Sequence, residues 1–109
     1  MITLRQMEQL TGVSRRMLQE YNRIGLLKYR GKTPGGYWLY NEEDIDRLAA
    51  IQLLRNCGFT RKDVLLLLGD PEQPLNDVIS HAEKALLERR NAIDQVLRQL
   101  RAIRRDGEG

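Results

Sequence analysis

Cysteine is almost missing from this chain. The one thiol, Cys57, excludes an intramolecular disulfide framework and a thiolate metal cluster. It is expected to be a small buried apolar residue. His81 is the only histidine, so no Cys/His constellation for nucleophilic catalysis or metal binding can be assembled. The three prolines fall between expected elements, Pro34 in a turn and Pro71 and Pro74 in a connector. No apolar run approaches membrane-spanning length and nothing resembles a signal peptide, which points to a soluble cytoplasmic protein with no membrane partner. Gly35-Gly36 is hairpin punctuation without a helix start behind it, so it is not a phosphate loop. These absences argue against an enzyme, and no cofactor is expected. At 109 residues the chain is one domain, or one domain plus an extension. Its core is small enough for dimerisation to supply much of the stability.

What is abundant is charge, unevenly placed. Residues 1–40 hold seven Lys/Arg against two Glu, residues 41–70 hold four basic and six acidic groups, and residues 71–109 hold seven of each. The basic excess lies at the front of the chain, where phosphate contacts would need it.

That front third reads as two helices and a hairpin. Thr3-Leu4-Arg5-Gln6 fits a capping box for a helix over Leu4–Leu10, with Leu4, Met7 and Leu10 facing one core. Gly12 ends it and Ser14 N-caps a second helix over Arg15–Arg23, which stops at Gly25. A three-residue turn between two helices is helix-turn-helix spacing. Strand-like runs follow at Leu27–Arg30 and Tyr37–Tyr40, with Gly31, Pro34, Gly35 and Gly36 between them. A recognition-type helix followed by a hairpin is the order of a winged helix, and double-stranded DNA is the expected partner. Arg15 and Arg16 lie in the first turn of the second helix, where side chains reach base edges or phosphates. Gln19 suits adenine, and Tyr21 completes the candidate contacts on this helix. In the hairpin, alternation sends Tyr37 and Leu39 to one face and Trp38 and Tyr40 to the other, and Lys32 adds charge.

The rest is helical. Asn41 is placed to N-cap a third helix with Glu42, Glu43 and Asp44 in its first turn, which accounts for that acidic cluster without a metal. The helix runs to Asn56 with Ile45, Leu48, Ala49 and Leu53 as its stripe and Ile51 and Leu54 beside it, and Arg55 near its end is a further candidate phosphate contact. Thr60 N-caps a fourth helix, Arg61–Leu68, whose apolar run predicts burial on several sides. The last helix spans Leu75–Arg105, roughly 45 Å at ~1.5 Å per residue, with a frayed tail over Asp106–Gly109. Ile79, Ala82, Leu86, Arg89, Ile93, Val96, Leu100 and Ile103 recur at alternating spacings of three and four, a coiled-coil seam broken only by Arg89. Such a stripe predicts a homodimer. The expected class is therefore mainly α: a winged helix-turn-helix domain with a small β-hairpin wing at 1–70, and a connector and dimerisation helix at 71–109.

These words in order resemble the DNA-binding half of the MerR family of transcriptional regulators: Leu10-Thr11-Gly12-Val13-Ser14, Tyr21 with Ile24-Gly25-Leu26-Leu27, Gly35-Gly36-Tyr37 with Leu39-Tyr40, Glu43-Asp44-Ile45, Arg47-Leu48 and Gly58-Phe59. The resemblance spans roughly residues 1–69. It implies a two-fold dimer joined by an antiparallel coiled coil, an inverted-repeat operator, and bending and untwisting of a promoter for RNA polymerase. It also implies that Tyr37 touches the DNA backbone and that Arg55 meets a phosphate. Larger members carry a ligand-binding domain after the coiled coil; this chain is expected to be a short form without one. Any effector is unidentified, with the fourth helix and Trp38 as candidate lining. The chain departs from the family where relatives carry Arg, Tyr and Arg and it carries Gln19, Glu20 and Trp38. A carboxylate facing phosphates is repulsive. Either Glu20 turns to Arg16 or Arg23, or the operator differs, or DNA is not the partner. The alternative function is then a protein-interaction module, of the co-chaperone-modulator kind, that keeps the fold without reading DNA.

Overall fold

The computed structural model describes residues 1–105, so the expectation for Asp106–Gly109 lies outside the described residues. In chain order the elements are β1 (Ile2–Thr3), α1 (Leu4–Thr11), α2 (Arg15–Ile24), β2 (Gly31–Lys32), β3 (Trp38–Tyr40), α3 (Glu43–Asn56), α4 (Arg61–Leu68) and α5 (Leu75–Ile103). The strands form one antiparallel sheet in the order β1-β3-β2, with Ile2 opposite Tyr40 and Lys32 opposite Trp38.

Local side-chain chemistry starts the helices. Thr3 and Gln6 close a capping box on α1, Ser14 Oγ accepts from the Met17 amide on α2, and Thr60 and Asp63 close a second box on α4. On α3 the assigned cap is Glu42, which makes no side-chain cap bond. Asn41 does the capping instead, since its Oδ1 accepts from the Asp44 amide at 3.0 Å while Asp44 Oδ2 accepts from the Asn41 amide at 3.0 Å. Gly25 ends α2 in the left-handed region at φ 82°, which a side chain would strain.

The strand expected at Leu27–Arg30 does not form. The amides of Leu26 and Leu27 turn back to the Tyr21 carbonyl at 2.9 and 3.2 Å, and the Tyr29 amide bonds to Asn22 Oδ1 at 3.2 Å. The helix end thus uses the donors a strand would need. Only Arg30 joins the sheet, donating to the Leu39 carbonyl at 2.7 Å. Ile2–Thr3 supplies the third strand instead.

Four burial expectations are corrected. Leu10 is 63% exposed, while Val13, past the turn, is buried in the core. On α3 the buried residues are Asp44, Arg47, Leu48, Ala50, Ile51 and Leu54, whereas Ala49 and Leu53 point outward. Leu66 of α4 is also exposed, so that helix is covered on one side through Val64 and Leu68. Cys57 is exposed at the end of α3 rather than buried.

Helix α5 has two halves. Val78, Ala82 and Ala85 are buried and Leu86 partly buried, and this half packs on α3 and α4. Ala82 thus belongs to the intramolecular contact rather than the seam. Arg89, read as a seam break, is the last anchor: Nη1 donates to the Cys57 carbonyl at 2.8 Å and the guanidinium sits 3.9 Å from the centre of the Phe59 ring. Every residue from 91 to 105 is exposed. The molecule consequently measures 71 × 25 × 20 Å. Among the described residues no helix is long and apolar enough to cross a membrane.

Tyr40 closes the core beneath β3 at 0% exposure, and its hydroxyl has no hydrogen-bond partner among the described residues. Burial, reinforced by the Asp44 charge, pushes its phenol up to about 12. The neutral phenol is the form the fold accepts, so stability is complete below the unfolded value near 10 and is lost as pH rises towards 12. Tyr40→Phe should leave neutral-pH stability unchanged or raise it by up to ~1 kcal/mol. It should also remove roughly 1–2 kcal/mol of the alkaline loss at pH 11. Urea unfolding at the two pH values checks this, and a loss above ~1.5 kcal/mol at neutral pH would mean the hydroxyl has a partner.

Candidate nucleic-acid interface

Helix α2 sits at the centre of the basic surface. Its first turn contains Arg15 and Arg16 and no acid, so two guanidiniums add to the positive end of the helix. Arg15, Arg16, Gln19 and Arg23 are exposed along its outer side, while Leu18 and Tyr21 hold the inner side in the core. Arg15 Nε lies 3.3 Å from Glu8 Oε1 of α1, a solvent-exposed pair that orients the side chain more than it stabilises the fold.

The wing stands beside this helix. Thr33 organises its turn: the Thr33 amide donates to the Tyr37 carbonyl at 2.8 Å, and the Tyr37 amide donates to Thr33 Oγ1 at 3.1 Å. Gly36, at φ 86°, makes the reversal that an L side chain would resist. Tyr37 is left 71% exposed. Behind it Trp38 stacks on Tyr29 at 4.6 Å between ring centroids, and Lys32 Nζ lies 5.5 Å over the Tyr29 ring. Trp38 therefore stiffens the hairpin.

The structure divides the expected contacts. Arg15, Gln19 and Tyr37 share one cleft of about 650 Å³ between α2 and the wing, lined also by Arg5, Gly36 and Trp38. Lys32 stands opposite Trp38 on the same wing, over the Tyr29 ring, and does not line that cleft. Arg16 faces the other flank, in a concavity of about 430 Å³ with Ser14, Glu20 and Arg61. Arg55 lies apart, in a groove of about 660 Å³ with Gly12, Ser14, Gln52 and Asn56, its Nη1 3.4 Å from the Phe59 carbonyl. Tyr21 is a correction: at 4% exposure it is a core residue, and it lends only an edge to that groove. Trp38 lines the wing-side cleft, which includes no residue of α4, so the two do not form an effector site there.

Arg5 and Arg61 were missed. Arg5 leaves no periodic signal. Arg61 does leave one: a cation in the first turn of a helix opposes the dipole, which is a reason to ask what else it serves.

Glu20 turns to arginine, as one of the three alternatives has it. Arg23 Nε donates to its Oε2 at 2.9 Å, Arg23 Nη2 donates to Oε1, and Arg61 Nη1 is 3.8 Å from Oε1. The hydrogen bond from Arg23 is the largest of the effects that hold the carboxyl below its usual range.

For dimerisation, Ile79 is 37% exposed and Leu86 partly buried, while Ile93, Val96, Leu100 and Ile103 are 53–73% exposed. Ile79 and Leu86 also line a groove of about 420 Å³ between α3 and α5 that is apolar through Ala49, Leu53 and Leu75 and edged by Asp46 and Glu83.

Comparison with known proteins agrees with this arrangement. The chain is similar to the HTH-type transcriptional activator mta of Bacillus subtilis, 26% identical over 97 residues, 89% of this chain and 38% of mta. It is similar to the HTH-type transcriptional regulator SkgA of Caulobacter vibrioides, 41% identical over 69 residues, 63% of this chain and 27% of SkgA. It thus spans well under half the length of these curated relatives. The crystal structure of SkgA from Caulobacter crescentus superposes with a TM-score of 0.61 at 33% identity, covering 91% of this chain and 74% of that one. The cryo-EM structure of an EcmrR–DNA complex in EcmrR-RPo shares the fold, with a TM-score of 0.58 at 22% identity over 92% of this chain and 37% of that one. The family described as MerR HTH family regulatory protein matches residues 2–69, and the chain belongs to that family.

Proposed function

We propose that the protein is a DNA-binding transcriptional regulator that works as a homodimer on an inverted-repeat operator. The observation that carries the reading is the wing-side cleft, where Arg15 and Gln19 of α2 face the exposed Tyr37 of the wing. A helix with base-reading side chains at its start and a wing beside it suits a major groove flanked by backbone. Residues 1–70 are the binding head. Residues 71–109 are the connector and arm, whose exposed Ile93, Val96, Leu100 and Ile103 support an antiparallel pairing with a second copy. EcmrR, which shares the fold, is seen on DNA. A rigid spacer would set two heads about one DNA turn, roughly 34 Å, or a multiple apart. Bending and untwisting of the promoter would then give indirect specificity, with RNA polymerase as the beneficiary.

The interaction-module alternative rested on Trp38 and Glu20. Trp38 packs on Tyr29 and Glu20 pairs with Arg23, so neither residue argues for a protein partner.

Selection of bound duplexes from a random pool, followed by salt titration, tests the reading. A specific inverted repeat whose affinity falls steeply with salt is expected. Arg16→Ala should weaken binding to that repeat about tenfold or more, consistent with loss of a bidentate base contact or a phosphate contact. No enrichment, or unchanged affinity in the variant, counts against the assigned contact.

A further inference from the structure

We infer that Glu20 is an internal competitor for DNA phosphate. Its carboxylate occupies an anion-binding concavity between α2 and α4 and masks the charge of Arg61 and Arg23. The inference rests on the DNA-binding reading above and describes how that surface is tuned.

One carboxylate here serves guanidiniums from two helices. Arg23 grips Glu20 with two nitrogens, one at 2.9 Å, and Arg61 reaches it from α4 at 3.8 Å. Arg16, one helical turn before Glu20, adds its charge. Ser14, Arg16, Glu20 and Arg61 line the same concavity of about 430 Å³. Among the described residues no acid lines the wing-side cleft, where Arg5 stands and Arg15 meets Glu8 of α1 at 3.3 Å from outside it. On the wing side one acid, Glu8, therefore meets one cation through a single contact, whereas on the other flank a single carboxylate engages guanidiniums from two helices.

The consequence has an unusual sign. Affinity for any duplex grows with the number of phosphates neutralised, because each releases condensed counterions. An arginine already paired with a carboxylate contributes less to that release, and the carboxylate repels an approaching phosphate. Most substitutions of a surface residue that supports a binding helix weaken binding. Removing the charge of Glu20 should strengthen it.

The test uses Glu20→Gln, which keeps the shape and an oxygen acceptor for Arg23, in the full chain. Binding is measured by fluorescence anisotropy to a labelled selected duplex and to one of scrambled sequence, over a salt series. Glu20→Gln should bind both about three- to tenfold more tightly near 0.1 M salt. Its log–log salt dependence should steepen by about one unit. Adding Arg23→Gln and Arg61→Gln together to that variant should cancel most of the gain, whereas Arg61→Gln alone should change wild-type binding little, because Arg23 still holds Glu20. Equal or weaker binding, an unchanged salt slope, or a gain that survives loss of both Arg23 and Arg61 overturns the inference. Failure of both the wild type and Glu20→Gln to bind any duplex at low salt overturns the DNA-binding reading itself.

Discussion

Arg30→Ala will destabilise the folded chain by about 3–5 kcal/mol, the range for removing one partner of a buried ion pair. Arg30 grips Asp44 with two nitrogens, Nη2 to Oδ1 at 2.9 Å and Nε to Oδ2 at 3.2 Å. The Asp44 side chain is 0% exposed and that of Arg30 is 16% exposed. Among the described residues Asp44 keeps only the Asn41 amide and a distant Arg47 Nε at 3.9 Å once Arg30 is gone, so a buried carboxylate loses its main counter-charge. Arg30 also bonds Glu72 at 2.9 Å, which ties the wing, the start of α3 and the connector before α5 into one unit. Arg30→Lys should recover only part of the loss, because a single ammonium cannot reproduce the two-pronged grip. Pairing Arg30→Met with Asp44→Asn should cost less than the sum of the single changes, since neither charge is then stranded. Urea denaturation measures all of these. A loss below ~1 kcal/mol for Arg30→Ala would place this pair among ordinary surface bridges.

Ile93→Asp should abolish dimerisation and weaken binding to a two-half-site duplex by at least about a hundredfold, because the second head then loses its effective concentration. Ile93 lies beyond Arg89, the last residue of α5 anchored to the head, and is 53% exposed. The substitution therefore leaves the intramolecular core intact, and far-ultraviolet circular dichroism should show a folded head. Sedimentation should find monomers. A persistent dimer would mean that the copies pair through another surface, with the groove edged by Leu53 and Ile79 the first to examine.

Capping chemistry was the most legible part of the fold. Thr3, Ser14 and Thr60 announce α1, α2 and α4 because each cap is a bond between residues three apart. Burial on α3 was only partly legible: it is apolar on more than one side, so periodicity put Ala49 and Leu53 in the stripe, Ile51 and Leu54 beside it, and passed over Ala50. The strand expected at Leu27–Arg30 failed for a tertiary reason, namely the return of two amides to the Tyr21 carbonyl. At the candidate site, the outward direction of Arg15, Arg16 and Gln19 followed from helical spacing. Burial of Tyr21 did not, because a tyrosine on the mixed side of a helix suits both a core and a surface. Arg61 joins Glu20 across 41 positions of sequence, and pairings of that range leave no local trace. Arg89 was legible as an exception in the seam, but its partners Cys57 and Phe59 lie on another element.

The most direct test is the mass of the complex formed on the duplex selected from the random pool, measured by sedimentation equilibrium together with its footprint. Two chains per duplex, protecting two inverted half-sites on one side of the helix, is the predicted result. One chain on a single half-site, or a complex with no preferred sequence, would contradict it.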